Sequence, residues 1–353
     1  MAETAVLTTA GQGELVVSSG VFGELCLPAG AFDPTRADEI RNLAAQAAVY
    51  ATQARGQGTL RAYRSAWRIY EGWCVRLGFA PLNADPRVVG MYLTSAAERL
   101  AVSTIQVHLA AIVTAHRLVG LSLDPGHPSI ALLLDGIRRR KGVRPARQAT
   151  PLTVDLLRRM VHAQPASILG IRNRAMLLAG FGGALRRSEI VALDVGDVSF
   201  VADRGVVLTV RRSKTDQVGV GAAVAIWSSP DRDLCAATAL RVWLDERDAT
   251  GNDAPLFVGM RATGAMTDTR LSDKAVARLV KDTAEGVGAS PDGYWSGHSL
   301  RAGLATAAGE AEAQLHDVMR QTRHKSVEVA RRYMRSADLW RNNVTEKILH
   351  KLD

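Results

Sequence analysis

Apolar residues recur every three or four positions from residue 37 to about 135, which predicts a series of amphipathic helices. In "TLRAYRSAWRIYEGWCVRLGF", Leu60, Tyr63, Trp67, Tyr70, Cys74 and Leu77 share one side, and Arg61, Arg64 and Arg68 fall on the other. A shorter helix is expected to start after Asp85-Pro86, in "DPRVVGMYLTSAAERL". Next comes "AVSTIQVHLAAIVTAHRLVG", with Ser103 as the expected N-cap and Val102, Ile105, Leu109, Ile112 and Val119 as the apolar side. Four or so helices joined by short loops make a small helical domain over 36–135.

The pattern then breaks. "GIRRRKGVRPARQATP" carries Arg138, Arg139, Arg140, Lys141, Arg144 and Arg147 with no acid between 136 and 150, and Gly142, Pro145 and Pro151 interrupt regular structure. It reads as a basic interdomain linker over 136–150. A second domain, 151–353, opens with helical patterns. "GVVLTVRRSKTDQVGVGAAVAIW" then alternates and is rich in Val, predicting strands near 206–211 and 219–227 with "SKTDQ" in the turn between them. Helices are expected again at 231–247, at 272–287 and from His298 onward. The fold class is therefore mainly α, with a small antiparallel β-sheet in the second domain.

Composition sharpens this picture. The 353 residues are 47% hydrophobic with mixed charge, as in folded, soluble globular proteins. Net charge is +9, unevenly spread. Residues 1–35 hold Glu3, Glu14, Glu24 and Asp33 and no Lys or Arg, so 44 basic against 31 acidic residues leave +13 on the rest. A polyanionic partner is implied. The acidic leader has neither the basic start of a signal peptide nor the Arg content of a transit peptide, and reads as a flexible arm. No apolar stretch is long enough to span a bilayer. Cys26, Cys74 and Cys235 are odd in number and scattered, which suggests neither a disulfide framework nor a zinc site. A reducing interior, the cytoplasm, is the expected compartment.

Residues 297–303 read GHSLRAG, placing His298 and Arg301 on one helical face. Alone, this pair is no more than a surface neighbourhood. It gains meaning beside "ALRRSEI" with Arg186 and Glu189, "RRSKTD" with Lys214, and "RHKSVEVARRYMR" with His324 and Tyr333. In this order and at these separations, the set resembles the tyrosine recombinase (phage integrase) family. "TLRAYRSAWRIYEGWC", "LAVSTIQVHL" and "WSGHS" look most like its Cre-like members, which carry Trp where His324 stands here. The resemblance covers roughly residues 36–350, and the acidic leader lies outside it.

The resemblance implies a helical core-binding (SAM-like) domain, a catalytic domain, and strand cleavage through a 3′-phosphotyrosine on Tyr333. The physical chemistry of the residues agrees. A phenol with a reference pKa of about 10 needs a proton acceptor and a cationic field. His298 is the expected acceptor, and Arg186 and Arg301 would clamp the phosphate oxygens. His324 would donate to the phosphate, and Glu189 would orient and balance the charges. Lys214 would protonate the departing 5′-oxygen. No metal, nucleotide or other cofactor is called for.

The expected partner is double-stranded DNA with inverted-repeat sites, held in a C-shaped clamp by the two domains. Arg61, Arg64, Arg68, Thr104 and Gln106 are the first domain's candidate contacts, and Arg138, Arg139, Arg140 and Lys141 those of the linker. Lys274, Arg278 and Lys281 share one face of "LSDKAVARLVKD", with Lys274 placed for a base edge. A solvated basic face is the competing reading for each of these groups. A C-terminal helix over 337–351, with Leu339, Trp340, Val344, Ile348 and Leu349 as its stripe, either packs on its own domain or docks into a neighbouring protomer of a tetramer on two DNA sites. Two other activities fit the same residues: type IB topoisomerase-like relaxation, and catalytically silent DNA binding on the same fold.

Overall fold

The computed structural model describes residues 15–19, 23–27, 31, 33–53, 56–142, 148–211, 221–249, 251–338 and 344–349. The chain divides into two compact units, Met1–Ala146 and Arg147–Asp353.

The first unit begins with a hairpin, β1 (Leu15–Ser19) paired antiparallel to β2 (Gly23–Leu27) from Leu15↔Leu27 to Ser19↔Gly23. Within the acidic stretch 1–35, read from the sequence as a flexible arm, "LVVSS" and "GELCL" hold enough β-branched and apolar residues to pair, a signal that overall composition hides. Five helices follow: α1 (Ala37–Gln53), α2 (Gln57–Arg76), α3 (Pro86–Ala97), α4 (Val102–Leu118) and α5 (Pro128–Lys141). Asp85 caps α3 through the Arg87 N–H with Pro86 in its first turn, as the sequence suggests. Helix α4 starts two residues earlier than expected: Ala101 is its N-cap and Ser103 lies inside the helix. The core gathers Tyr70 and Cys74 of α2, Val89 and Leu93 of α3, Ile105 and Ile112 of α4 and Ile130 of α5, all fully buried. Leu77, expected on the apolar face of α2, is its exposed C-cap.

Helix α5 also corrects the linker. Ile130, Leu134 and Ile137 recur at four and three and are buried, so the helix continues through Arg138–Lys141 and stops at Gly142, whose φ of 71° suits glycine. The basic run is thus a helix terminus rather than an extended strap. Within it, Arg138 pairs with Asp135 at 2.8 Å, and Lys141 Nζ donates to the carbonyls of Ala97 and Leu100 at the end of α3. Arg139 and Arg140 are exposed. Arg144 and Arg147 lie outside the described residues.

The second unit packs helices around a nearly all-buried one. Helix α6 (Val154–His162) leads to α7 (Ile168–Gly182), where Ala175, Met176, Leu177, Leu178 and Ala179 are all buried in succession. After α8 (Arg187–Ala192) comes an antiparallel sheet of β3 (Val198–Val201), β4 (Gly205–Val210) and β5 (Ala222–Trp227), with β4 central. The β4–β5 ladder runs from Gly205↔Trp227 to Val210↔Ala222, so the connection between them holds Lys214, which lies outside the described residues. Helix α9 (Ala236–Arg247) precedes a second hairpin, β6 (Val258–Met260) and β7 (Met266–Arg270). Strand β3 is an addition to the expected sheet, and this hairpin is a separate two-stranded sheet. β7, "MTDTR", lacks apolar alternation because it is largely solvent-facing. Helices α10 (Asp273–Gly286), α11 (Gly297–Glu310), α12 (Leu315–Thr322), α13 (Val327–Asp338) and α14 (Val344–Leu349) complete the unit. Among the described residues, no helix is long and apolar enough to cross a membrane.

Candidate active site

Three local structures bring the singled-out residues together. The first is the turn that ends α7. Leu185 N–H returns to the Gly180 carbonyl, Ala184 adopts φ 44°, and Arg186 becomes the N-cap of α8. One turn into α8, Glu189 reaches back. It accepts the Arg186 backbone N–H on Oε2 at 2.9 Å and the Arg186 guanidinium on Oε1 at 2.5 Å. The Glu189 side chain is only 1% exposed.

The second is α11. Ser296 caps it through the His298 N–H, and His298 and Arg301 then lie one turn apart on one side. Gly303, of the GHSLRAG stretch, is required by close approach. A Cβ there would sit 2.2 Å from the Leu152 carbonyl oxygen. Arg301 is 1% exposed and donates from Nη1 to the Ala184 carbonyl at 2.8 Å. Its Nε and Nη2 are buried with no hydrogen-bond partner among the described residues. Unpaired buried donors on a charged group are expensive and are kept where a ligand completes them. Burial pushes the Arg301 pKa down to about 9, with Arg186 adding to the effect and Glu189 opposing it. The group stays cationic at neutral pH.

The third is the α12–α13 turn. Gln321 Nε2 donates to the carbonyls of Gly182 and Ala225, tying α12 to the α7 turn and to β5. His324 follows the end of α12, and its Nδ1 lies 2.8 Å from Thr322 Oγ1. Tyr333 sits on α13, whose Met334 packs with Ala305 of α11 and Val318 of α12. Its Oη is 2.7 Å from His298 Nε2, and its ring stacks on His324 with centroids 5.6 Å apart and planes 12° apart. Burial raises the Tyr333 pKa, against the lowering influence of Arg301, Arg332 and Arg186, so the phenol is protonated at neutral pH. Burial also lowers His324 to about 4, helped by Arg301 and Arg186.

Six of the seven residues singled out in the sequence therefore converge: Arg186, Glu189, His298, Arg301, His324 and Tyr333. The seventh, Lys214, falls outside the described residues. Sequence reasoning missed Arg323. Its guanidinium, 11% exposed, pairs with Glu189 Oε2 at 2.7 Å, opposite the oxygen held by the Arg186 side chain. Burial works to raise the Glu189 pKa, but Arg323 and Arg186 outweigh it and hold the carboxyl ionised. The only sequence signal for Arg323 was a second basic residue beside His324.

The candidate DNA-contacting residues are accessible where they are described. Arg61, Arg64 and Arg68 line the exposed side of α2, and Thr104 and Gln106 are exposed on α4. Lys274, Arg278 and Lys281 are exposed on α10, with Lys281 3.8 Å from Glu285.

A mostly helical unit with a small antiparallel sheet and a tyrosine among buried arginines defines the tyrosine recombinase class. The comparisons agree. Residues 151–339 match the model of the phage integrase family. An integrase/recombinase XerD homologue of Selenomonas ruminantium is 31% identical over 303 residues, 85% of this chain and 87% of the relative. Recombinase Cre of Escherichia phage P1 is 27% identical over 305 residues, 81% of this chain and 86% of the relative. A crystal structure of the XerH site-specific recombinase in a post-cleavage complex with palindromic difH substrate shares the fold. Its TM-score is 0.58 at 14% identity, over 90% of this chain and 88% of that one. The chain belongs to the phage integrase family of tyrosine recombinases. Its likeness to Cre, expected from the first-domain helices, is distant, and the XerD homologue matches at higher identity.

Proposed function

We propose that the protein is a site-specific DNA recombinase that cuts and rejoins strands through a phosphotyrosine on Tyr333. The observation that carries this reading is the 2.7 Å contact of Tyr333 Oη with His298 Nε2, beside Arg301 with its two unpartnered buried nitrogens. In the forward step the phenol oxygen bonds to phosphorus and its proton passes to His298. The P–O5′ bond breaks, and the 5′-oxygen takes a proton from Lys214, a role assigned from the family resemblance. Arg186 and Arg301 stabilise the charge that builds on the phosphate oxygens. Glu189 holds the Arg186 fork in place.

His324 takes part as the phosphate arrives. The Thr322 hydroxyl donates to the Val318 carbonyl at 2.6 Å, so it accepts from His324 Nδ1–H. In a neutral ring, Nε2 is then an acceptor. A bound phosphate anion favours the imidazolium, and Nε2 becomes the donor the phosphate needs.

The step exchanges one phosphoester for another, so it is reversible and draws on neither ATP nor metal. Each unit would bind inverted-repeat duplex DNA in the cytoplasm, with the basic residues of α2 and α5 in the first and of α10 in the second along the phosphates. Val344, Ile348 and Leu349 of α14 are each more than half exposed, which supports docking of this helix into a neighbouring protomer of a tetramer. Leu339 and Trp340 of the same stripe lie outside the described residues.

The test is covalent trapping. Duplexes selected from a random pool by binding are nicked near each candidate cleavage point and incubated with wild type and Tyr333→Phe in EDTA. An adduct with wild type alone supports the reading and locates the cleaved bond. Tight binding without an adduct in either protein moves the assignment to catalytically silent DNA binding. Adducts with supercoil relaxation but no strand exchange between two sites would indicate a topoisomerase.

A further inference from the structure

Arg323 has three features that its position beside His324 does not require. Its backbone is left-handed, with φ 55°, a conformation that side chains other than glycine adopt with strain. Its guanidinium is nearly buried, although a long charged side chain next to a turn could reach solvent. Its Nη1 donates locally to the Gln321 carbonyl at 3.4 Å and its Nε is buried with no partner among the described residues, but its other bonds share one destination: Nη2 to Glu189 Oε2 at 2.7 Å and to the Ala184 carbonyl at 3.4 Å, and Nη1 to the Gly183 carbonyl at 3.2 Å. These are groups of the α7–α8 turn and of the helix that turn begins. Arg301 also anchors there, donating from Nη1 to the Ala184 carbonyl at 2.8 Å.

Glu189 is a buried anion among three guanidiniums, and Arg301 feels its charge. Arg186 takes Oε1 with its side chain and Oε2 with its backbone, and Arg323 completes Oε2. With Glu189 satisfied in this way, Arg301 keeps Nε and Nη2 without a partner among the described residues. Without Arg323, Oε2 would have room for another donor, and Arg301 is the neighbouring cation able to supply one.

We propose that Arg323 is a positioning residue for strand cleavage: by holding Glu189 and the Gly183–Ala184 carbonyls, it keeps the Arg301 donors available for the phosphate and sets His324 against the same turn. The proposal rests on the recombinase reading above. A backbone conformation suited to glycine is retained with an arginine because the guanidinium is needed where it lies.

The test uses the full chain and the selected nicked duplex, with single-turnover adduct formation and duplex affinity measured separately. Arg323→Gly should relieve the backbone, keep the melting temperature and the Kd close to wild type, and slow adduct formation by about a hundredfold. Arg323→Lys, which restores one donor and the charge, should recover part of that loss. If Arg323 acts through Glu189, then Arg323→Gly combined with Glu189→Gln should be little slower than the slower single variant. Three results overturn the proposal: wild-type cleavage by Arg323→Gly, losses that multiply in the double variant, or a loss matched by weaker binding. Should Arg323→Gly not fold, Arg323→Lys decides: wild-type cleavage refutes the proposal, and slow cleavage at unchanged Kd supports it. Absence of an adduct with the wild type itself is a different outcome, because it refutes the recombinase reading first.

Discussion

The interior of the first unit and the site of the second are both buried, and they are built on opposite terms. Around Val89, Leu93, Ile105, Ile112 and Ile130 the first unit is apolar and aromatic, and its buried Tyr92 hydroxyl meets His108 Nδ1 at 2.5 Å. Its apolar side chains gain by leaving water and ask for no ligand. The second unit buries Arg301, Glu189 and Arg323 side by side, a charged group that costs desolvation and is incompletely paired. Stability explains the first arrangement and not the second. A surplus of buried positive charge with orphan donors makes sense where an anion enters to complete it.

The sharpest way to break this contrast is at Arg301. Arg301→Met removes a buried cation while Glu189 keeps Arg186 and Arg323, so adduct formation should fall about 10²–10³-fold with the melting temperature unchanged or raised. A melting temperature that falls in step with activity would mean the guanidinium is structural. Ile105→Ala probes the other side of the comparison. It should cost about 2–5 kcal/mol of stability in denaturant melts and leave the cleavage rate per folded, DNA-saturated molecule unchanged. A changed rate would show that the first unit's core reaches the chemistry.

A smaller effect is read by pH; burial lowers His108 in the first unit too, and the larger contribution is assigned to His324 in the second. Burial, then Arg301 and Arg186, lower His324 from 6.5 to about 4, so between those values the unfolded chain binds a proton that the folded one does not. The resulting stability is complete above about pH 6.5, is lost as pH falls toward 4, and is constant below. Allowing for partial exposure, the change should be about 1–2 kcal/mol. Melting curves across this range should show it, and His324→Gln should remove the His324 part and leave that of His108. The smallest effect belongs to the exposed side of α2. Arg64→Ala should weaken duplex binding about uniformly across sequences and reduce the slope of log affinity against log salt by about one. An unchanged slope would identify that face as solvated only.

Much of the site was legible because its chemistry is carried by residue type and order. GHSLRAG, "ALRRSEI" and "RRYMR" each set a reactive group on a helix or at its cap, and helical periodicity places such groups without reference to the rest of the fold. Arg323 was illegible for the complementary reason. Its role comes from a left-handed backbone and a contact across 134 residues to Glu189, neither of which a local pattern encodes. The linker shows the same limit. Charge and Gly142 suggested an irregular strap, whereas Ile130, Leu134 and Ile137 packed into the core and carried the helix on to Lys141.

Residue pattern alone carries the helical character of the chain, its excess positive charge, the order of Arg186, Glu189, Lys214, His298, Arg301, His324 and Tyr333, and the family those residues announce. These are properties of composition and local period, which survive without a third dimension. The folded packing is what selects the cations that share Glu189, the Arg301 nitrogens left unpaired among the described residues, the 2.7 Å meeting of Tyr333 with His298, and the bare Gly303 that lets α11 pass Leu152. Each of these depends on atoms distant in sequence meeting within a few ångströms. Close packing of the whole unit sets such distances, and no single segment contains them.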